Sequence, residues 1–244
     1  MSRNKSQDLL RGIDYDDAGT AQRVLLLMCL DTSQSMQGEP IRLLNEALTD
    51  WASTLRRDIN LAATAEIALV TFGADGVVVW RGTRALPSRS DETPFVAAGQ
   101  YQPPLLNAAG VTPMVKAIEI AITLVETRKL QLRSSYMQYH RPLIWLVTDG
   151  LPTDDQGKYS QDWKRLPSVL EQAHQAKKFR FFAVGVGAMD DTGKAVLSGL
   201  APDDNFTLGG FPFHELLPLL SASIEQAERD NDDFHPIDYY QEKA

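Results

Sequence analysis

Val24-Leu-Leu-Leu-Met-Cys-Leu30, followed at once by Asp31-Thr-Ser33-Gln-Ser35, is the stretch that decides the fold. A continuous apolar run with no polar alternation predicts a central strand covered on both faces. The polar residues 31–39 leave that strand as a loop, and Pro40 stands at or near the first position of the next helix. Ile41, Leu44, Leu48, Trp51 and Leu55 then recur at helical spacing, which places one apolar stripe against a sheet.

The same alternation continues along the chain. Residues 66–72 and 77–81 read as two strands joined by Gly73-Ala-Asp-Gly76, a hairpin signal. Residues 83–110 are rich in Pro, Ser and Gly and read mostly as loop, longer than most connections. A second amphipathic helix starts near Pro113, with Met114, Ile118, Ala121, Ile122 and Val125 on its inner face. Leu143-Ile-Trp-Leu-Val147 is another buried strand, ending at Thr148-Asp149-Gly150. Residues 166–176 read as a helix, 179–186 as a strand closed by Gly185 and Gly187, 206–208 as a short last strand and 214–227 as a final helix. The expected architecture is α/β and doubly wound: a mainly parallel six-stranded sheet with one antiparallel edge strand and helices on both faces. Residues 1–21 form an N-terminal extension, 22–228 the domain, and 229–244 an acidic tail. The tail aromatics Phe234, Tyr239 and Tyr240 are placed either to pack back onto the domain or to engage a partner.

Bulk properties narrow the function. The 244 residues suffice for one large α/β domain and are short for two. An apolar share of 43% and a charged share of 23% are those of an ordinary globular protein. The formal charge of −8 argues against nucleic-acid binding, which needs a basic face to displace phosphate counterions. It is compatible with a cation site, and solubility explains it equally well. The single cysteine, Cys29, reads as a small buried hydrophobe within the first strand. The N-terminal MSRNKSQDLLRGIDYDD lacks the apolar stretch of a signal peptide, and no run approaches the roughly 20 apolar residues of a membrane span. A cytoplasmic protein with no membrane association is the expectation.

In open α/β sheets, ligands bind beyond the carboxyl ends of the strands, where the strand order reverses. Three loops carry oxygen ligands toward that edge: Asp31-Thr-Ser33-Gln-Ser35, Gly110-Val-Thr112-Pro113 and Asp149-Gly150. A tight Asp-x-Ser-x-Ser loop turns alternate side chains toward one point and offers a carboxylate with two hydroxyls. Thr112 and Asp149 complete the protein's share. Mg²⁺ takes a near-octahedral shell of oxygens at about 2.0–2.1 Å and usually keeps some waters. Two carboxylates balance its charge, while neutral hydroxyls leave it electrophilic toward a further ligand, for which a carboxylate of another protein is suited. The small hydroxyl-rich shell favours Mg²⁺ or Mn²⁺ over Ca²⁺.

Each residue also has a purely structural explanation. Asp31 could cap the next helix, Thr112 before Pro113 has the makings of an N-cap, and Asp149-Gly150 could be a plain turn. Only the joint arrangement points to a cation. Asp154 and Asp155 read as solvated loop acids. Other chemistries find less support. Gly185-Val-Gly187 lacks the glycine spacing of a dinucleotide site, and no Walker-type phosphate loop is present. His140, His174, His214 and His235 lack zinc-ligand spacing, and Ser33 and Ser35 lack a nucleophile elbow. The basic, tyrosine-bearing segment RKLQLRSSYMQYHR (128–141) reads either as a docking surface for an acidic partner or as a solvated helix end.

Asp31-Thr-Ser33-Gln-Ser35, Thr112 ahead of a helix and Thr148-Asp149-Gly150 after an apolar strand together resemble the von Willebrand factor A (vWA) domain. In that family these positions form the metal-ion-dependent adhesion site, or MIDAS. Phe182-Ala-Val-Gly-Val-Gly187 is similar to the family's fifth strand, Val196-Leu-Ser-Gly-Leu-Ala201 to the segment after it, and the resemblance spans roughly residues 22 to 228. More narrowly, Leu30-Asp-Thr-Ser-Gln-Ser-Met-Gln-Gly-Glu-Pro-Ile41 and Asp149-Gly-Leu-Pro-Thr-Asp154 look like the bacterial TerY-type proteins of tellurite resistance and stress. The resemblance implies a non-enzymatic, metal-dependent protein-binding module in a stress or defence complex, beside a kinase, phosphatase or ATPase. The competing expectations are a Mg²⁺-dependent phosphohydrolase with Asp31 as nucleophile, and a regulatory subunit of an ATPase complex. Against the hydrolase, Ser33 stands where a second acid is needed, and no obvious lysine completes a phosphoryl-transfer site.

Overall fold

The computed structural model of the chain describes residues 22–73, 75–87, 90–229, 235, 236 and 238. The extension 1–21 and the tail residues Phe234, Tyr239 and Tyr240 lie outside the described residues. The apolar run becomes β1 (Val24–Thr32), buried at every one of its nine positions. Its side chains alternate between two cores, with Val24, Leu26, Met28 and Leu30 in one and Leu25, Leu27 and Cys29 in the other. A strand covered on both faces has no polar side to show, which is why its sequence lacks alternation. Each fully buried leucine there stabilises the fold by about 1.5–3 kcal/mol relative to exposure.

The remaining strands are β2 (Ala65–Gly73), β3 (Gly76–Arg81), β4 (Arg84–Leu86), β5 (Val96–Ala97), β6 (Leu143–Thr148), β7 (Arg180–Val186) and β8 (Asn205–Leu208). They form one sheet in the order β4-β3-β2-β1-β6-β7-β8, with β5 beside β2. β2, β1, β6, β7 and β8 are mutually parallel, and β3 is antiparallel to β2. The six expected strands are thus all present, and two short ones add to them. Both arise within residues 83–110, where the sequence reads mostly as loop. β4 pairs outside β3, and β5 pairs antiparallel with the start of β2. At three and two residues they are too short for periodicity to show. Burial of Phe95 and the Arg81 guanidinium, which donates to the Thr93 and Phe95 carbonyls, hold this stretch to the sheet instead.

The helices are α1 (Glu39–Arg57), α2 (Ile59–Thr64), α3 (Met114–Ser134), α4 (Pro167–Gln175), α5 (Asp191–Leu200) and α6 (Phe213–Glu228). Pro40 lies in the first turn of α1, as the sequence predicts. α2 and α5 each start at an aspartate cap, Asp58 accepting from the Asn60 and Leu61 amides and Asp190 from the Gly193 amide. α1 and α6 cover one face of the sheet; α3, α4 and α5 cover the other.

In the 128–141 segment the arginines have partners within the chain. Arg128 binds Glu66 through two hydrogen bonds, Arg133 lies 5.5 Å from the centre of the Tyr139 ring, and Arg141 donates to the His174 and Phe179 carbonyls. Tyr136, at a left-handed φ of 57°, is 95% exposed. Near the amino ends of β7 and β8, Arg180 and Asp204 form a buried two-hydrogen-bond pair of 2.8 and 2.6 Å.

The chain leaves β1 for α1 on one face and leaves β6 for α4 on the other. The gap between the carboxyl ends of the adjacent strands β1 and β6 is therefore the point where the winding reverses, and there the loops part to leave a crevice.

Candidate metal centre

Asp31 sits one residue before the end of β1, paired with Phe72 of β2, so strand pairing fixes its backbone. Its carboxylate is 2% exposed. One oxygen accepts the Ser33 amide at 2.8 Å, and the other accepts the Thr148 hydroxyl at 2.5 Å. The chain then turns through a 3₁₀ segment, Gln34–Met36, pinned by the buried Met36 side chain. Gly38, at φ +82°, swings it into α1 through a conformation costly for any residue with a Cβ. This turn brings the Ser33 and Ser35 hydroxyls to 3.0 Å from each other, and Ser35 donates to Asp149 Oδ1 at 2.8 Å. Asp31, Ser33, Ser35 and Asp149 are thus one connected set of oxygens across the β1–β6 gap.

Among the described residues Thr112 has no hydrogen bond to this set; its loop is tied to the first one through the backbone. The loop ahead of it is zipped to the first one, with Ala109 donating to the Thr32 carbonyl at 3.0 Å and Gln34 donating to the Gly110 carbonyl at 3.1 Å. On its other side, the Thr112 amide donates to the Thr153 hydroxyl at 2.8 Å, and the Thr153 amide donates back to the Thr112 carbonyl at 2.9 Å. The cap position of α3 is Pro113, without a side-chain capping bond, so the capping role open to Thr112 from sequence is not the one it takes. Nor does Asp31 cap α1, whose cap residue is Gly38.

Three contributors escape sequence reasoning. Thr148 and Thr153 lie inside strings that resemble the family, yet nothing in their spacing gives them a role. Gly73 reads as a hairpin glycine. In the fold it also lies against the first loop so closely that a Cβ would stand 2.1 Å from the Thr32 carbonyl oxygen and 2.6 Å from the Ser33 amide nitrogen. Any side chain there would displace the loop that carries Ser33.

Burial acts on both carboxylates of the set. Burial pushes the Asp31 carboxyl up to about 6, despite the lowering effect of hydrogen bonds from Thr148 and Ser33, and the nearby Asp149 charge raises it further. Asp149, half-buried, is also raised, chiefly by desolvation. No basic side chain is among the causes that shift either carboxylate. Two acids held together without a counter-charge, amid hydroxyls that supply oxygen but no charge, fit a hard divalent ion. Asp31, Ser33, Ser35, Thr112 and Asp149 would hold it, and it would supply an electrophilic position for an incoming oxygen ligand. Among the described residues no group of three or more His, Cys, Asp or Glu could hold a metal, so a thiolate or imidazole centre finds no support.

The family model for the von Willebrand factor type A domain matches residues 26–214. No curated protein sequence gives a match. Among solved structures, the human COPII-coat protein Sec24c is similar at 11% identity and a TM-score of 0.57, over 86% of this chain and 33% of that one. The pilus adhesin SpaC of Lactobacillus rhamnosus GG is similar at 13% identity and 0.55, over 86% and 30%. Proximal thread matrix protein 1 from the mussel byssus, with a zinc-occupied MIDAS motif, gives 18% identity and 0.47, over 85% and 46%. The chain spans less than half the length of each of these proteins. At such identities the likeness concerns the fold. Among the described residues no helix is long and apolar enough to cross a membrane.

Proposed function

We propose, since the chain belongs to the von Willebrand factor type A domain family, that it is a non-enzymatic module gripping a carboxylate of another protein through a divalent cation. The cation is Mg²⁺ or Mn²⁺, held by Asp31, Ser33, Ser35, Thr112 and Asp149, and the module is the domain of residues 22–228. The observation that carries this reading is the buried, uncompensated Asp31 carboxylate, joined through Ser33 and Ser35 to Asp149. Both Asp31 oxygens accept hydrogen bonds within the protein, which suits a fixed ligand better than a nucleophile free to attack. An incoming Asp or Glu side chain would complete the shell at the open position, and its charge would be matched by the metal rather than by a basic side chain.

The finer setting is a bacterial stress, tellurite-resistance or defence complex of the TerY kind, in the cytoplasm, with a kinase, phosphatase or ATPase as partner. The strings around Asp31 and Asp149 support it.

Calorimetric titration with MgCl₂, MnCl₂ and CaCl₂, on wild type and Asp31→Ala, tests the site. Tighter Mg²⁺ and Mn²⁺ than Ca²⁺ binding, lost in the variant, is expected. Pull-down in MgCl₂ and in EDTA tests the grip, and capture indifferent to both EDTA and Asp31→Ala would overturn it. Hydrolysis of phosphoesters that vanishes in Asp31→Ala would replace the binding module by the hydrolase.

A further inference from the structure

We propose that Thr153 is the positioning residue of the cation site, holding Thr112 in place by gripping both polar groups of its backbone. The proposal rests on the metal-site reading above and adds to it a residue outside the ligand set.

Unlike the other proposed ligands, Thr112 lies neither in a strand, nor directly after one, nor in the tight turn that leaves one. Asp31 is set by pairing within β1, Asp149 directly follows β6, and Ser33 and Ser35 are set by the turn between β1 and α1. Thr112 instead ends a long segment without regular structure, immediately before α3. The two hydrogen bonds with Thr153 supply what a ladder would: the 112 amide to the 153 hydroxyl at 2.8 Å, and the 153 amide to the 112 carbonyl at 2.9 Å. With donor and acceptor both fixed, the peptide planes on either side of Thr112 cannot rotate freely, and its Cα–Cβ direction is set.

Thr153 is itself anchored. It bridges antiparallel to Tyr159, and Ser160 donates to the Pro152 carbonyl at 2.9 Å, so residues 152–154 and 158–160 form a small ribbon. Asp154 closes its tip, its carboxylate accepting the Gln156 and Lys158 amides at 2.9 Å each. The Tyr159 hydroxyl accepts from the Trp163 indole at 3.0 Å, and Trp163 packs on α5 so closely that a Cβ at Gly199 would stand 2.6 Å from its ring. The ribbon is therefore a strut from α5 to Thr112, and Thr153 is its point of contact. Residues behind a first ligand shell commonly alter metal affinity by 10–100-fold when removed.

Thr153→Val keeps the shape but removes the hydroxyl that accepts the Thr112 amide; Thr153→Ser keeps the hydroxyl. Mg²⁺ affinity is measured by calorimetry on the full chain, and thermal unfolding is followed in EDTA. Thr153→Val is expected to weaken Mg²⁺ at least tenfold, Thr153→Ser to stay within about threefold of wild type, and all three proteins to unfold within a few degrees of one another in EDTA. Should Thr153→Val not fold, Thr153→Ala serves as the variant lacking the acceptor. Wild-type Mg²⁺ affinity in Thr153→Val overturns the positioning role while leaving the site intact. Equal weakening in Thr153→Ser also overturns it, because the hydroxyl would then not be what matters. Absence of Mg²⁺ binding in wild type overturns the metal-site reading itself.

Discussion

Removing a proposed metal ligand should make the metal-free protein more stable. The perturbation is Asp31→Asn, which keeps the shape and takes away the charge. In the folded chain burial lifts the Asp31 carboxyl from an ordinary 3.8 to about 6. A group with a raised folded pKa holds its proton more tightly when folded. Its stabilising contribution is therefore complete below pH 3.8 and is lost as pH rises through about 6. At about 1.4 kcal/mol per pH unit, ionising Asp31 costs the metal-free fold roughly 3 kcal/mol at neutral pH. The asparagine carries no such cost. Its amide nitrogen faces the Thr148 hydroxyl, which must turn to accept rather than donate, and that mismatch takes back about 1 kcal/mol. The net gain in EDTA at pH 7.5 is about 2 kcal/mol, or about 4–8 °C in unfolding midpoint for a chain of this size. Near pH 4 the gain should disappear. With MgCl₂ at a hundredfold excess over Kd the wild type alone should gain about 2.7 kcal/mol. Thermal unfolding of both proteins at pH 4, 6 and 7.5, in EDTA and in MgCl₂, measures all of this. An Asp31→Asn protein less stable than wild type in EDTA at pH 7.5 would refute the reasoning, as would a difference that does not change with pH.

Ser33→Ala combined with Ser35→Ala should abolish Mg²⁺ binding by calorimetry while the far-ultraviolet circular dichroism spectrum stays that of the folded protein, because the hydrogen bonds of these hydroxyls run to each other, to Asp31 and to Asp149, all within the proposed ligand set. Arg180→Met, at the amino end of β7, should destabilise by about 3–5 kcal/mol in urea unfolding, since it removes both hydrogen bonds that hold the buried Asp204 carboxylate and leaves it the His235 ring 3.6 Å away. The double variant Arg180→Met, Asp204→Leu should recover most of that loss, and neither should change Mg²⁺ affinity.

The parts of this molecule that can be read from sequence are those whose cause is local. The run ending at Leu30 reads as a buried strand because every position is apolar, and Asp31 and Asp149 are conspicuous because they interrupt such runs. What could not be read depends on neighbours distant in the chain. β5 is two residues, held by its register with Glu66 and Ile67. α2 follows α1 with only Asp58 between them, and a cap inside a helical-looking stretch gives no periodic signal. Thr112 offers the pattern of a cap, and only the fold shows Pro113 in that place. Gly73 looks like a turn residue until β1 is laid beside it. Thr153 acquires its role only when the chain returns 41 residues later to the loop that carries Thr112.

The contact between Ser35 and Asp149 joins positions 114 residues apart, and it exists only when β6 has paired in register with β1. Parallel pairing across such a loop is a late event in folding, since the entropy of closing the chain is lost before the contacts form. A cation at this site would therefore meet its full ligand set only once β6 has paired with β1. Mg²⁺ should leave the refolding rate nearly unchanged and act on the unfolding rate, lengthening the lifetime of the assembled sheet rather than helping to build it.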